Sequence, residues 1–474
     1  MDSDSTSKPP EKSPHKSSLS SLKTSPFERN IALTKLGFGA GTKIVAHSLM
    51  NIFRGEVEKT DANREFYRKQ ATVLADELGK LKGSVMKAGQ MMSLFGQYFL
   101  PEEAVDVLAS LQDDTPPVDW KVVGPALERS LGRKRLSELE VDPDPIAAAS
   151  LGQAHRARRK SDGLELVVKI QYPGVADSID SDIRTLSRLL SMTRLAPKEL
   201  DLAPTFAEVR EMLKREVDYR AECQFTEDFG RRLAGDSRFV VPQVLRDYSS
   251  DAVLTTTYER GVAVRDPAVL SLSAARRNHF GSAFLDLFLE EFFDWGLVQS
   301  DPNFGNYRFR IGERPEDDKI VLLDFGATRE FERGFINQYA QLVAGACLRD
   351  RRQTLEGAVG IGLMQAGFPA EVQNAFAEMC ELIVEPFNRA DDPLTLPELR
   401  NARGEYRWGA SKLPMRAANV AARNALSRYF RVPPREIVFL HRRLGGVFIM
   451  LATLDVELNA RAALFRTLSI KDAD

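Results

Sequence analysis

Cysteine is scarce. Cys223, Cys347 and Cys380 are the only three, and they lie far apart. They form neither a Cys-x-x-Cys pair nor a disulfide framework, so a stapled secreted scaffold is excluded and a reducing compartment is the natural reading. The five histidines, His15, His47, His155, His279 and His441, are also scattered. No pair has zinc-ligand spacing, and each reads as a surface or locally satisfied histidine. An excess of one charge is absent too. The formal net charge is -2 over 474 residues, so there is no basic field for nucleic acid. The run Arg156-Ala157-Arg158-Arg159-Lys160 reads as a solvated loop. No stretch reaches the ~18 apolar residues of a spanning helix. The nearest, Ile31 to Phe53, is broken by Lys35, Lys43, His47 and several glycines, and fits an interfacial segment or a packed helical hairpin. Gly445 to Leu454 is apolar but too short to span.

What remains is an ordinary globular composition, 43% hydrophobic and 28% charged, long enough for more than one domain. Residues 1–26 are rich in Ser, Lys and Pro and poor in large apolar residues, so a disordered tail is expected. Asp2, Asp4 and Glu11, with no arginine before Arg29, argue against a mitochondrial presequence. Leu74, Leu78, Leu81, Val85 and Met92 recur at helical spacing, so 62–99 reads as one or two helices. Pro101 suits the first turn of another, and Pro116-Pro117 ends the region. Ile146–Ala157 and Leu164–Ile170 read as strands joined at Ser161-Asp162-Gly163. A long helical stretch is expected from Val175 to about Phe229, then strands at Phe239–Leu245 and Ala252–Tyr258. Beyond Gly261 the pattern is mostly helical, with one short strand at Ile320–Leu323. A small mixed lobe before a larger helical lobe is the organisation of a kinase.

The clearest pair of chemical elements lies in the second half. Asp301-Pro302-Asn303-Phe304-Gly305-Asn306 places an Asp and an Asn five positions apart on a loop. Val321-Leu322-Leu323-Asp324-Phe325-Gly326 is an apolar strand delivering an acid at its end. Magnesium takes hard oxygen ligands, commonly one or two from protein and the rest from phosphate and water. Asp324 and the amide oxygen of Asn306 can supply that share, leaving Asp301 to orient or deprotonate a nucleophile. A lone Asp-Phe-Gly is weak; the two elements in order are much stronger. Upstream, Val167-Val168-Lys169-Ile170 puts a lysine inside an apolar strand, which is costly unless paired. Glu216, Asp218 and Glu222 offer carboxylates on the following helical stretch, where Asp218 and Glu222 share a face and Glu216 points away. Glu222 is assigned to Lys169; a solvated acidic stripe is the bland alternative. Before Lys169, where a Gly-rich phosphate loop would stand, the sequence has Ala147, Ala148, Ala149, Ser150, Leu151 and Gly152. Alanine avoids positive φ, so a stiffer loop is expected. Lys87-Ala88-Gly89-Gln90 sets Lys87 and Gln90 on one helical face; alone it reads as a helix end with a basic residue.

Together these elements resemble the UbiB/ADCK atypical kinases, and closely the ubiquinone (coenzyme Q) biosynthesis branch, from about residue 27 onward. The specific features are Lys87-Ala88-Gly89-Gln90, the Ala147–Gln153 loop, Glu216-Val217-Asp218-Tyr219 with Glu222, Gln299 to Asn303 with Asn306, and Leu322 to Arg329. The resemblance implies an α+β, atypical protein-kinase-like bilobal fold. Its parts would be a helical extension over 27–117, an N-lobe with helical insertion over 118–258, and a C-lobe over 259–474. It implies that Lys169 and Glu222 pair at the nucleotide beside Ala147, Ala148, Ala149 and Ser150. Asp324 and Asn306 would hold Mg2+, and Asp301 would be catalytic. The Lys87 helix would cover the peptide site, with Lys87 near Glu216 and Asp218. ATP or ADP would be the nucleotide.

The expected partners are an isoprenoid lipid or ubiquinone precursor, a membrane surface, ubiquinone-biosynthesis proteins and a second copy of the chain, with no nucleic acid. The expected place is cytoplasmic, on the inner membrane of a bacterium, with a mitochondrion as the alternative. Gln299-Ser300 replaces the His-Arg of ordinary kinases, no lysine follows Asp301 by two, and no Ala-Pro-Glu follows Asp324 at a sensible distance. Thr256-Thr257 stands where a Met-Glu pair is common in the family, which puts base selectivity in question. Three activities compete: an ATPase coupled to lipid or complex handling, a small-molecule or isoprenoid-lipid kinase, and a nucleotide-gated scaffold.

Overall fold

The computed structural model describes residues 65, 69, 72, 84–96, 105, 108, 117–193, 201–425 and 433–470. The tail 1–26, the stretch Ile31–Phe53, the leucines at 74, 78 and 81, and the helix start at Pro101 lie outside the described residues. Helix α1 (Ser84–Gly96) carries Ala88, Met91 and Met92 into the core. It packs on α3 (Val175–Thr193) and α4 (Ala203–Glu216). The contact holds a buried polar cluster in which the Ser84 hydroxyl meets Ser178 at 2.9 Å and the Asp182 carboxylate. Helix α2 (Trp120–Leu131) buries Val123, Leu127 and Leu131, one face at four-residue spacing. Asp119 caps it by accepting from the Lys121 N–H.

The N-terminal sheet has the order β1-β2-β3-β5, antiparallel throughout: β1 (Leu139–Ala148), β2 (Gly152–Arg159), β3 (Glu165–Gln171) and β5 (Val253–Thr257). The single strand expected over Ile146–Ala157 is instead two strands folded back at Ala149–Leu151, where the Ala149 N–H donates to the Gly152 carbonyl at 2.8 Å. Glycine is required at that corner, because a Cβ on Gly152 would stand 2.6 Å from the Ile170 carbonyl oxygen. Pro143 and Pro145 hide the start of β1; prolines sit there because β1 is an edge strand, and the pairing shifts register around Pro145. In β3, Leu166, Val168 and Ile170 are buried on one face, which puts Lys169 on the other.

The helical stretch expected from Val175 to about Phe229 is made of three helices: α3, α4 and α5 (Tyr219–Arg232). The chain breaks between Glu216 and Tyr219 because Asp218 caps α5 through the Ala221 N–H, and Gln171 Nε2 takes up the Val217 carbonyl. The strand expected at Phe239–Leu245 is only β4 (Phe239–Val240), ended by Pro242, which lacks an N–H.

Beyond Gly261 the one expected strand appears as β8 (Lys319–Leu322), joined by β6 (Leu297–Gln299), β7 (Tyr307–Arg310), β9 (Thr328–Glu330), β10 (Tyr406–Arg407) and β11 (Glu457–Leu458). These pieces are too short to show alternation. The longer helices here are α6 (Ala274–Leu289), α7 (Arg333–Leu348), α8 (Arg351–Gly360), α9 (Ala370–Ile383), α10 (Leu413–Ala425), α11 (Arg435–Thr453) and α12 (Arg461–Thr467). The result is the expected mixed α+β, kinase-like arrangement of a sheet lobe and a helical majority. One core surrounds Phe280, Phe284, Phe292, Phe309 and Phe325. The other surrounds Leu166, Val168, Ile170 and Leu186, with Met92 of α1. Helix α11 serves both, giving Val438 and Phe439 to the second and Leu440 and Val447 to the first. Among the described residues no helix is long and apolar enough to cross a membrane.

Candidate nucleotide site

Strand β3, helix α5 and the end of β8 meet at three charges. Lys169 Nζ donates to Glu222 Oε1 and Oε2 at 2.8 and 2.9 Å and to Asp324 Oδ2 at 3.1 Å. Tyr219 lies beneath, its ring centroid 5.0 Å from Nζ. Glu222 is 2% exposed, while Lys169 and Asp324 keep about a third of their side chains open, 29% and 36%. Burial pushes the Glu222 carboxyl up to about 7, with Lys169 opposing. Burial works against charge on Lys169, but Asp324 and Glu222 outweigh it and hold the ammonium well above its ordinary range. Burial also opposes ionisation of Asp324; Lys169, the Gly326 N–H at 2.9 Å and the more distant Lys87 overcome it, so its pKa is lowered.

The catalytic-loop candidates stand on the segment after β6. Asn306 Nδ2 donates to the Asp301 carbonyl at 3.3 Å and to Asp301 Oδ2 at 3.0 Å. Both partners accept, so the amide nitrogen must face them, and Asn306 Oδ1 is left without a donor among the described residues. An oxygen so left, together with the half-open Asp324 carboxylate, is a donor set that fits magnesium. Among the described residues no cluster of three or more His, Cys, Asp or Glu could hold a metal alone. Magnesium that shares its shell with phosphate needs no such cluster.

Gln299 closes strand β6. Its Nε2 donates to the Asp324 carbonyl at 3.3 Å, and its Oε1 accepts from the Tyr307 hydroxyl at 3.3 Å. Tyr307 accepts from Arg443 Nη1 at 2.8 Å, and Arg443 is fully buried against Glu291 at 3.2 Å. Burial pushes the Glu291 carboxyl up to about 7, with Arg443 opposing.

The remaining candidates are spread around this centre. Lys87 Nζ of α1 lies 2.9 Å from Glu216 Oε1 at the end of α4. Asp218 is exposed and caps α5, so Asp218 and Glu222 do not share a helical face as the sequence suggested. Ala147, Ala148, Ala149 and Ser150 form the corner between β1 and β2; Ser150 is buried, and none adopts a positive φ. Arg329, five residues past Asp324, stacks 3.3 Å over Phe439 and pairs with Glu208 of α4 at 3.2 Å. A separate groove of about 530 Å³, lined by Arg156, Tyr258, Arg260 and Arg310 among others, contains none of the candidate residues.

Sequence reasoning missed Arg442, Arg443 and Gly446 of α11. Arg442 Nη2 donates to Asp301 Oδ1 at 2.6 Å. The available signal was an Arg-Arg pair amid the apolar residues of α11, which is costly unless each finds a carboxylate.

The family described as the ABC1 atypical kinase-like domain matches residues 110–358. The chain is 32% identical over 406 residues to the atypical kinase COQ8, mitochondrial, of Schizosaccharomyces pombe, covering 85% of this chain and 63% of that one. It is 29% identical over 448 residues to the protein of the same name in Saccharomyces cerevisiae, covering 94% and 85%. Among solved structures it is similar to Rv3197 of Mycobacterium tuberculosis, solved with erythromycin, at a TM-score of 0.57 and 25% identity, over 88% of this chain and 97% of that one.

Proposed function

The chain belongs to the ABC1 atypical kinase-like family, and from that premise we propose that it binds ATP or ADP with Mg2+ and hydrolyses ATP in support of ubiquinone biosynthesis at a membrane. The observation that carries this reading is the Lys169–Glu222–Asp324 triad at 2.8 to 3.1 Å. A partly open lysine held between two carboxylates is arranged to grip phosphate while one carboxylate remains for a cation. Asp324 and Asn306 Oδ1 would hold the magnesium, which supplies charge neutralisation on the phosphate oxygens. Asp301, with its carboxylate fixed by Asn306, would orient the attacking water. Water as acceptor is favoured over a peptide because Lys87 reaches Glu216 and bears electrostatically on Asp324, which supports the α1 helix lying over the cleft. The ubiquinone branch rests on the resemblance and on the yeast relatives, whose mitochondrial names favour the mitochondrial alternative for location. An isoprenoid lipid or ubiquinone precursor and the biosynthetic proteins are the partners this reading takes.

The test is a thermal-shift titration with MgATP and MgADP on wild type and Asp324→Asn, followed by phosphate release with and without liposomes. A ligand of the native state adds RT ln(1 + [L]/Kd) to stability, about 2.7 kcal/mol at a hundredfold excess over Kd. The expected result is a magnesium-dependent shift lost in the variant and phosphate release raised by lipid. Labelled phosphate on a quinone precursor would replace hydrolysis by lipid phosphorylation. A shift with no turnover at all would leave a scaffold, and no shift on folded protein would end the reading.

A further inference from the structure

The candidate catalytic carboxylate is held from two directions. Asn306, five residues along the same loop, donates to Oδ2 at 3.0 Å. Arg442, from a helix 141 residues further along the chain, donates to Oδ1 at 2.6 Å. With each oxygen fixed by a different donor, rotation about the terminal torsion of Asp301 is removed. That torsion is otherwise broad and soft. A charge-assisted bond from a planar guanidinium is short and directional, which a lysine would not reproduce.

The same helix meets the loop a second time. One turn on, a Cβ on Gly446 would overlap Pro302 Cβ, so α11 lies directly against the residue after Asp301. Arg443, the neighbour of Arg442, anchors the helix through Glu291 and Tyr307. Three positions of one helix therefore engage the catalytic loop or its support, and Arg442 is the one that reaches the reacting group.

We propose that Arg442 is a positioning residue for phosphoryl transfer at Asp301, so that the C-terminal helix and not the catalytic loop alone sets the aim of that carboxylate. This rests on the proposed ATP turnover. Nucleotide binding is assigned to Lys169 and Asp324, which Arg442 does not touch. Its removal should therefore spare binding and strike the chemical step. A misplacement of about 1 Å near the reacting centre costs on the order of a hundredfold in rate.

The experiment uses the full chain as wild type, Arg442→Ala, Arg442→Lys and Asp301→Asn, and the Arg442→Ala, Asp301→Asn double variant. Each is measured for MgATP thermal shift and for lipid-stimulated phosphate release. Arg442→Ala is expected to keep the MgATP shift and KM within about threefold and to lose kcat by roughly a hundredfold. Arg442→Lys should recover part of kcat. The double variant should be no worse than Asp301→Asn alone, since residues acting as a unit are not additive. A kcat for Arg442→Ala within about twofold of wild type, or losses that multiply in the double variant, overturns the inference while the functional reading stands. A parallel loss of the MgATP shift would mark Arg442 as structural and overturn it too. If wild type itself neither shifts nor releases phosphate, the functional reading falls and takes this inference with it.

Discussion

At the scale of the residue, the decisive contact is a lysine shared by two carboxylates in unequal surroundings. Glu222 is buried and its carboxyl is raised from 4.5 to about 7, whereas Asp324 is half open and its pKa is lowered. Near neutral pH Glu222 is the member that titrates. Its folded value lies above its unfolded one, so its contribution to stability is present in full below 4.5 and is lost as pH rises through about 7. The proposed nucleotide binding would run the other way, because only the ionised carboxylate holds Lys169 in place. The MgATP-induced shift should therefore grow as pH rises through about 7, while the melting temperature of the nucleotide-free wild type falls relative to Glu222→Gln over the same interval. Melting curves of both proteins across that range, with and without MgATP, check the two signs together. A shift that is flat with pH in wild type would remove Glu222 as the titrating partner.

At the scale of the element, the elements that carry the candidate site were the most legible. Lys169 in an apolar strand, Asp324 at a strand end and the Asp301–Asn306 spacing each demand a particular backbone, and the structure puts them on β3, after β8 and after β6. The misread elements have physical causes. By spacing alone Asp218 reads as a helix-interior acid, but a short side chain that captures the Ala221 N–H favours a cap over helix continuation. The β1–β2 corner was hidden because Ala147, Ala148 and Ala149 lead into it and only Gly152, at its far end, marks it. Apart from β8, the strands beyond Gly261 were missed because two to four residues show no period. The role of Gln153 was also illegible, since it depends on contacts across the fold. Its side chain accepts from the Val118 N–H at 2.9 Å and donates to the Val118 carbonyl at 3.2 Å and to His155 Nε2 at 2.9 Å. His155 Nδ1 then donates to the Asp142 carbonyl at 2.8 Å, so the buried imidazole is neutral. Burial lowers its pKa, against the pull of Asp142. A depressed folded value contributes stability above 6.5 that is lost as pH falls through that lower value. The melting temperature of wild type should thus exceed that of His155→Gln most at pH 7 and converge with it on acidification. Gln153→Leu, which strands the Val118 polar groups, should cost about 1–3 kcal/mol at neutral pH in urea unfolding.

At the scale of the whole molecule, the two cores share helix α11, and that sharing was unreadable from the sequence. In the sequence Gly445 to Leu454 reads only as an apolar run too short to span a membrane. Its neighbours Val438 and Phe439 enter the N-terminal core, and Leu440 and Val447 enter the C-terminal one. Phe439 also underlies Arg329, whose guanidinium pairs with Glu208 of α4, while Arg435 of α11 reaches the same Glu208 at 3.4 Å. The segment after Asp324, the α4 helix and α11 are thus tied at one buried ring. Cooperative unfolding of two cores requires that opening one expose surface of the other, and α11 provides that surface. Phe439→Ala removes a side chain that is 2% exposed, and large-to-small changes of that kind cost about 3–5 kcal/mol. The deficit falls on the N-terminal core and on its tie to α11. Wild type should therefore melt in a single calorimetric transition, and Phe439→Ala should split it, with the sheet lobe melting first. Ile449→Ala on the same helix, at a position 45% exposed, should leave one transition and change stability by no more than about 0.5 kcal/mol. Two transitions already present in wild type would show that the cores are independent despite α11. A single transition in Phe439→Ala, merely lowered, would show that other contacts across the lobes suffice to couple them.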